Sequence, residues 1–155
     1  MTQNPRHIEQ FRRVKRWYER FKKIDQGIPH NRSSESYQDE VYTFFQNCHH
    51  LKDWIKNDDA VSTHTKEKVE DFIGQEDCLK LCADICNGTK HLKLNRERSR
   101  KSPEFGSRRY VLALGGKEPV IQVKWSITTK TGIIDAFQLA SECLQKWEEF
   151  LKENL

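Results

Sequence analysis

Apolar residues recur every three or four positions over several stretches of this chain, then every second position over one short stretch. Ile8, Phe11, Val14, Tyr18, Phe21 and Ile24 make one stripe and predict a helix over 6–25. Gly27, Pro29, Asn31, Ser33 and Ser34 read as a loop. Ser36 is the expected cap of a second helix over 37–56, with Asp39 and Glu40 favouring the dipole of its first turn. Its buried stripe is Tyr37, Val41, Phe44, Phe45, Cys48, Leu51 and Ile55. A short helix over 66–73 carries Val69, Phe72 and Ile73 and stops at Gly74. A fourth helix over 76–94 turns Cys78, Leu81, Cys82, Ile85, Thr89 and Leu92 to one side. Gly88, in its interior, suits a close approach by another helix.

A basic loop over 95–108 separates the helices from the two-residue period. Tyr110 to Leu114 reads as a strand, and Gly115-Gly116 as a turn. Ile121, Val123, Trp125 and Ile127 alternate with Gln122, Lys124 and Ser126, as in a hairpin with one wet face. Ile133-Ile134 adds a short third strand, and Asp135 caps a last helix with Phe137, Ala140, Leu144, Trp147 and Leu151 inward. The expected class is mainly α. It is an antiparallel helical bundle of four main helices plus one short, in a single domain 1–155, with a β-hairpin inserted at about 108–134 before the C-terminal helix. A two-stranded hairpin is barely stable alone, so it must pack on the helices.

The chain has 155 residues, of which 35% are hydrophobic and 32% charged, so its core is economical and its surface very polar. No apolar run nears the ~20 residues of a membrane span, and the charged N-terminal stretch has no apolar signal segment. The expected location is cytoplasmic, and the five cysteines then read as reduced thiols.

The net charge of +4 is too small to argue for nucleic acid, but its distribution is uneven. Lys90, Lys93, Arg96, Arg98, Arg100, Lys101, Arg108 and Arg109 stand against only Glu97 and Glu104. Arg12, Arg13, Lys15, Arg16, Arg20, Lys22 and Lys23 stand against Glu19. Together the two segments offer a phosphate-attracting face, or else a solvated helix face beside a charged loop.

Two polar clusters interrupt the apolar helical patterns. His49 and Asp53 are four residues apart, so the carboxylate can orient the imidazole; a surface ion pair is the plainer reading. His50 and Trp54 read as a packing pair. Asp84, Asn87 and His91 fall on a neighbouring strip of the fourth helix, where Asn87 can fix the tautomer of His91. If the second and fourth helices adjoin, Asp53, His49, Asp84, Asn87 and His91 converge in one groove. Otherwise these groups are interhelix hydrogen-bonders.

Asn87-Gly88-Thr89-Lys90-His91 resembles the motif of HEPN-fold proteins, with Asn87 at the polar position, His91 at the histidine and Cys86 where an arginine is expected. The resemblance spans about residues 37–94. Stretches of it also look like uncharacterised small bacterial proteins. HEPN folds are all-helical bundles, and many are metal-independent ribonucleases of toxin and antiphage systems. The resemblance therefore implies an RNA-directed protein, with His91 moving a proton, Asn87 orienting it, and the cations Lys90, Lys93, Arg96, Arg98, Arg100 and Lys101 holding phosphate. It also implies a homodimer. A non-catalytic module that binds a partner protein is the alternative.

Cys78, Cys82 and Cys86 form a ridge at spacings of four, with Cys48 near. A straight helix presents ligands poorly for tetrahedral zinc, so they read as buried thiols, and neither metal nor cofactor is expected. There is no Glu-x-x-His pair of a di-metal bundle, no Walker loop and no serine elbow.

Overall fold

The computed structural model describes residues 4–29, 32–91, 97–114, 116–117 and 119–155, with Lys90 and His91 described by backbone alone. Among them run α1 (Arg6–Gln26), β1 (Ile28–Pro29), α2 (Ser34–Lys56), α3 (Thr63–Gln75), α4 (Asp77–His91), β2 (Glu104–Ala113), β3 (Val120–Thr129), β4 (Gly132–Asp135) and α5 (Ala136–Asn154). The protein is mainly helical, with a small four-stranded antiparallel sheet.

The α2 stripe is the centre of the core. All seven of its expected residues, from Tyr37 to Ile55, are fully buried. This helix packs against α1, α3, α4 and α5. Its cap is Ser33 rather than Ser36: the Ser33 hydroxyl accepts from the Ser36 N–H at 3.3 Å, which adds a turn at the front. Asp135 caps α5 as expected, accepting from the Gln138 N–H. The inward side of α5 includes Leu139, Cys143 and Phe150 beside Ala140, Leu144 and Trp147.

The sheet is larger than the expected hairpin. β2 begins at Glu104, inside the stretch read as loop, because Phe105 has a ring partner in Tyr42 of α2 and pairs with Ile127. Gly27, at φ 127°, turns the chain out of α1 so that Ile28 and Pro29 pair with Ile121 and Val120. The expected loop there therefore contributes a short edge strand. Ile121, Val123, Trp125 and Ile127 are buried, as their alternation predicts, and β3 packs on α1 and α5. Gly88 does not mark a close helix approach: a Cβ there would meet nothing within 4 Å. No helix among the described residues is long and apolar enough to cross a membrane.

Candidate functional site

The loop at 97–102 is assembled around two carboxylates. Asp84, 1% exposed on α4, accepts the backbone N–H of Arg98 at 2.7 Å and of Ser99 at 2.9 Å, and also the Ser99 hydroxyl. Glu97 accepts from the Ser102 N–H and hydroxyl. Arg100 and Ser102 take positive φ values of 57° and 45°, so the loop needs such anchors to hold its tight path. A buried carboxylate that accepts three hydrogen bonds is satisfied, and Asp84 acts here as a loop anchor.

His49 is buried on α2, within electrostatic reach of Arg98 in the same loop. Burial, reinforced by the positive charges of Lys52 and Arg98, pushes its pKa down to about 3 from 6.5. Folding thus favours the neutral ring. Its stabilisation is complete above pH 6.5 and is lost as the pH falls from there toward about 3. The expected NMR result is a His49 ring signal that stays flat from about pH 7 down to about pH 5, a range in which an ordinary histidine titrates. A midpoint inside that range would show the ring reaching solvent.

The other predicted residues lie differently. Asp53 makes no hydrogen bond to His49; it is exposed and lines a recess of about 240 Å³ with Arg6, Trp54 and Asn57. His50 brings its Nε2 to 3.7 Å from the Cys86 sulfur. Asn87 is half-buried on α4. The side chains of His91 and Lys90, and all of Lys93 and Arg96, fall outside the described residues. Arg98 pairs with Glu70 at 3.0 Å and Lys101 faces Asp77 at 3.9 Å, while Arg100 is exposed. Glu70 also takes Lys52 and Lys56, so this end of the molecule is a mixed-charge network. The structure thus ties Asp84 to the 97–102 loop, keeps His49 buried on α2 and leaves Asp53 in the recess beside Arg6.

No family model matches the chain, and no curated protein or solved structure is significantly similar to it.

A second constellation lies on α1 and α2. Arg6, Arg13, Trp17 and Arg20 recur at spacings of seven, four and three, which places them along one flank of α1. Trp54 of α2 meets that flank. The Arg6 and Arg13 guanidinium carbons lie 5.8 and 5.4 Å from its ring centroid, and Arg20 lies 5.1 Å from the ring of Trp17. Gln10 ties the flank to α2, donating to the Asn47 carbonyl at 2.9 Å. Both tryptophans are partly buried, Trp17 against the core. Beside them Arg12, Arg16 and Lys23 are exposed, with no ion-pair partner among the described residues. The result is an alternating arginine and indole ladder in which Arg13 also pairs with Glu9 at 3.1 Å and Arg20 with Glu40 at 3.6 Å. The basic run of α1 was legible in the sequence; the role of the tryptophans was not, although the spacing of Trp17 between Arg13 and Arg20 carries the signal.

The cysteine ridge also resolves differently. Cys82 meets Cys48 and Cys143 rather than a metal-like set along α4.

Proposed function

We propose that the protein binds single-stranded RNA along the ladder of Arg6, Trp54, Arg13, Trp17 and Arg20, with Arg12 and Arg16 contacting phosphate. The observation that supports this most is the interleaving of cations with partly exposed indoles, which gives bases a stacking surface and the backbone a counter-charge. In this reading the helices form an antiparallel bundle, as the HEPN resemblance implies, and the flank of α1 is its RNA face. RNA cleavage by His91 and Asn87 is the further step that the same resemblance suggests. A partner protein is the second reading. It is favoured by the exposed apolar residues Tyr110, Val111, Leu112 and Leu114 on and just beyond the edge strand β2.

Fluorescence anisotropy with a labelled single-stranded RNA tests the binding. Trp54→Ala should weaken it by about 1–3 kcal/mol, roughly 5- to 150-fold, with the circular dichroism unchanged. The pair Arg12→Ala and Arg16→Ala should flatten the salt dependence by about 1.4 in log–log slope. Salt-independent binding, or binding indifferent to both changes, removes the proposal. Incubation of RNA with wild-type and His91→Ala protein tests cleavage separately; cleavage that survives the substitution excludes His91.

A further inference from the structure

Three helices far apart in sequence each bring one cysteine to a common point. Cys48 of α2, Cys82 of α4 and Cys143 of α5 are 0%, 1% and 0% exposed, and their sulfurs all lie within 4.8 Å of one another. Two of the thiols have backbone acceptors at long range: Cys82 donates to the Phe45 carbonyl at 3.4 Å and Cys143 to the Cys78 carbonyl at 3.3 Å. Beside them the Trp147 indole N–H is buried without a hydrogen-bond partner, in a side chain 1% exposed.

We propose that Cys48, Cys82 and Cys143 form a buried trigonal site for one soft metal ion, Cu(I). Thiolate sulfur selects soft ions, Cu(I) among them. Structural zinc takes four ligands, and this cluster supplies three, in a core with no exposed position where water completes a tetrahedron. A metal–sulfur distance of ~2.3 Å sets the sulfurs of a trigonal site about 4.0 Å apart, so the cluster closes by less than about 1 Å to grip the ion. Each coordinated thiol releases its proton to solvent, and no electron moves. The Trp147 N–H then has a thiolate sulfur to donate to, as hydrogen-bond donors around metal-bound sulfur do. Because the site is sealed, loading requires local opening of the helices or occurs as the chain folds.

The test uses the full chain, reduced and kept anaerobic, titrated with Cu(I) against a chromogenic competitor. Wild type should take up one equivalent, show three sulfur neighbours and no nitrogen by X-ray absorption, and melt at a higher temperature when loaded. Cys143→Ala should hold that equivalent more than about 100-fold more weakly, whereas Cys86→Ala, which lies outside the triad, should keep it. The proposal fails if wild type does not compete for Cu(I), if its absorption spectrum shows nitrogen or only two sulfurs, or if Cys143→Ala retains full affinity. Should that variant not fold, the wild-type coordination spectrum decides alone. Zn(II) displacing Cu(I) at equal concentration also overturns the trigonal assignment.

Discussion

Asp58→Ala is expected to lower the free energy of unfolding by about 3 kcal/mol, measured by chemical denaturation. Asp58 follows α2, is 3% exposed, and clamps the start of α1 across the sequence. Its Oδ2 accepts the His7 backbone N–H at 2.8 Å and the His7 Nδ1–H at 2.7 Å, and its Oδ1 accepts the Ala60 N–H at 3.0 Å. A carboxylate only accepts, so the ring proton sits on Nδ1. The His7 N–H belongs to the first turn of α1, where no intrahelical acceptor exists. Pro5, the residue before that helix, makes no side-chain cap, so Asp58 supplies from a distance what a local cap residue supplies elsewhere. Removal of the carboxylate leaves two donors of a buried histidine unpaired. The pH dependence has a definite sign. Burial alone raises the carboxyl pKa, but the hydrogen bonds from His7 and Ala60 outweigh it and bring it from 3.8 to about 2. The depressed value means stability that is present above pH 3.8 and lost as the pH falls toward about 2, amounting to about 2 kcal/mol. Asp58→Asn should abolish that acid-limb loss; an unchanged acid limb would show that the carboxylate is not the group responsible.

Trp147→Ala should cost still more, about 3–5 kcal/mol, since it empties the largest fully buried side chain of the protein. The indole is wedged between Phe72 of α3, with centroids 5.6 Å apart, and Phe150 of α5 at 5.8 Å, and it borders the cysteine cluster. Its loss therefore loosens α3, α5 and the centre of the core together. Trp147→Phe gives the informative contrast. It keeps most of the ring contacts and deletes an N–H that has no partner, a group that costs about 1–3 kcal/mol to bury. It should stay within about 1 kcal/mol of wild type in the metal-free protein. A Phe variant as unstable as the Ala variant would mean that the N–H is satisfied by a group its geometry does not show.

The proposed RNA face and metal site lie away from the residues that first attract notice. His49 and Asp84 are polar groups in apolar patterns, which is the usual mark of a site. Here Asp84 secures the 97–102 loop while His49 is simply buried on α2, and the loop's own cations are partly engaged by Glu70 and Asp77. On α1, Arg12, Arg16 and Lys23 have no ion-pair partner among the described residues, whereas two of the arginines over the indoles, Arg13 and Arg20, pair with Glu9 and Glu40.

Helical periodicity was enough to locate five helices, the buried stripe of α2 and the alternating face of β3, because a 3.6- or 2-residue repeat of apolar positions has one economical way to be buried. It also gave the Asp135 cap, a local matter of one side chain and one N–H three residues on. Its errors came where partners are remote. Phe105 and Ile28 became strand residues only because β3 and the helices lie beside them. Asp58 capped a helix 51 residues away, and Asp84 folded a loop 14 residues on. Periodicity along α4 aligned Cys82 with Cys78 and Cys86, whereas packing of three helices aligned it with Cys48 and Cys143. The chain alone determines which face of each element is apolar, since that is written in the repeat. Which polar or sulfur atoms then meet depends on how the helices cross, and a crossing is set by side-chain interdigitation across sequence-distant surfaces rather than by any local pattern.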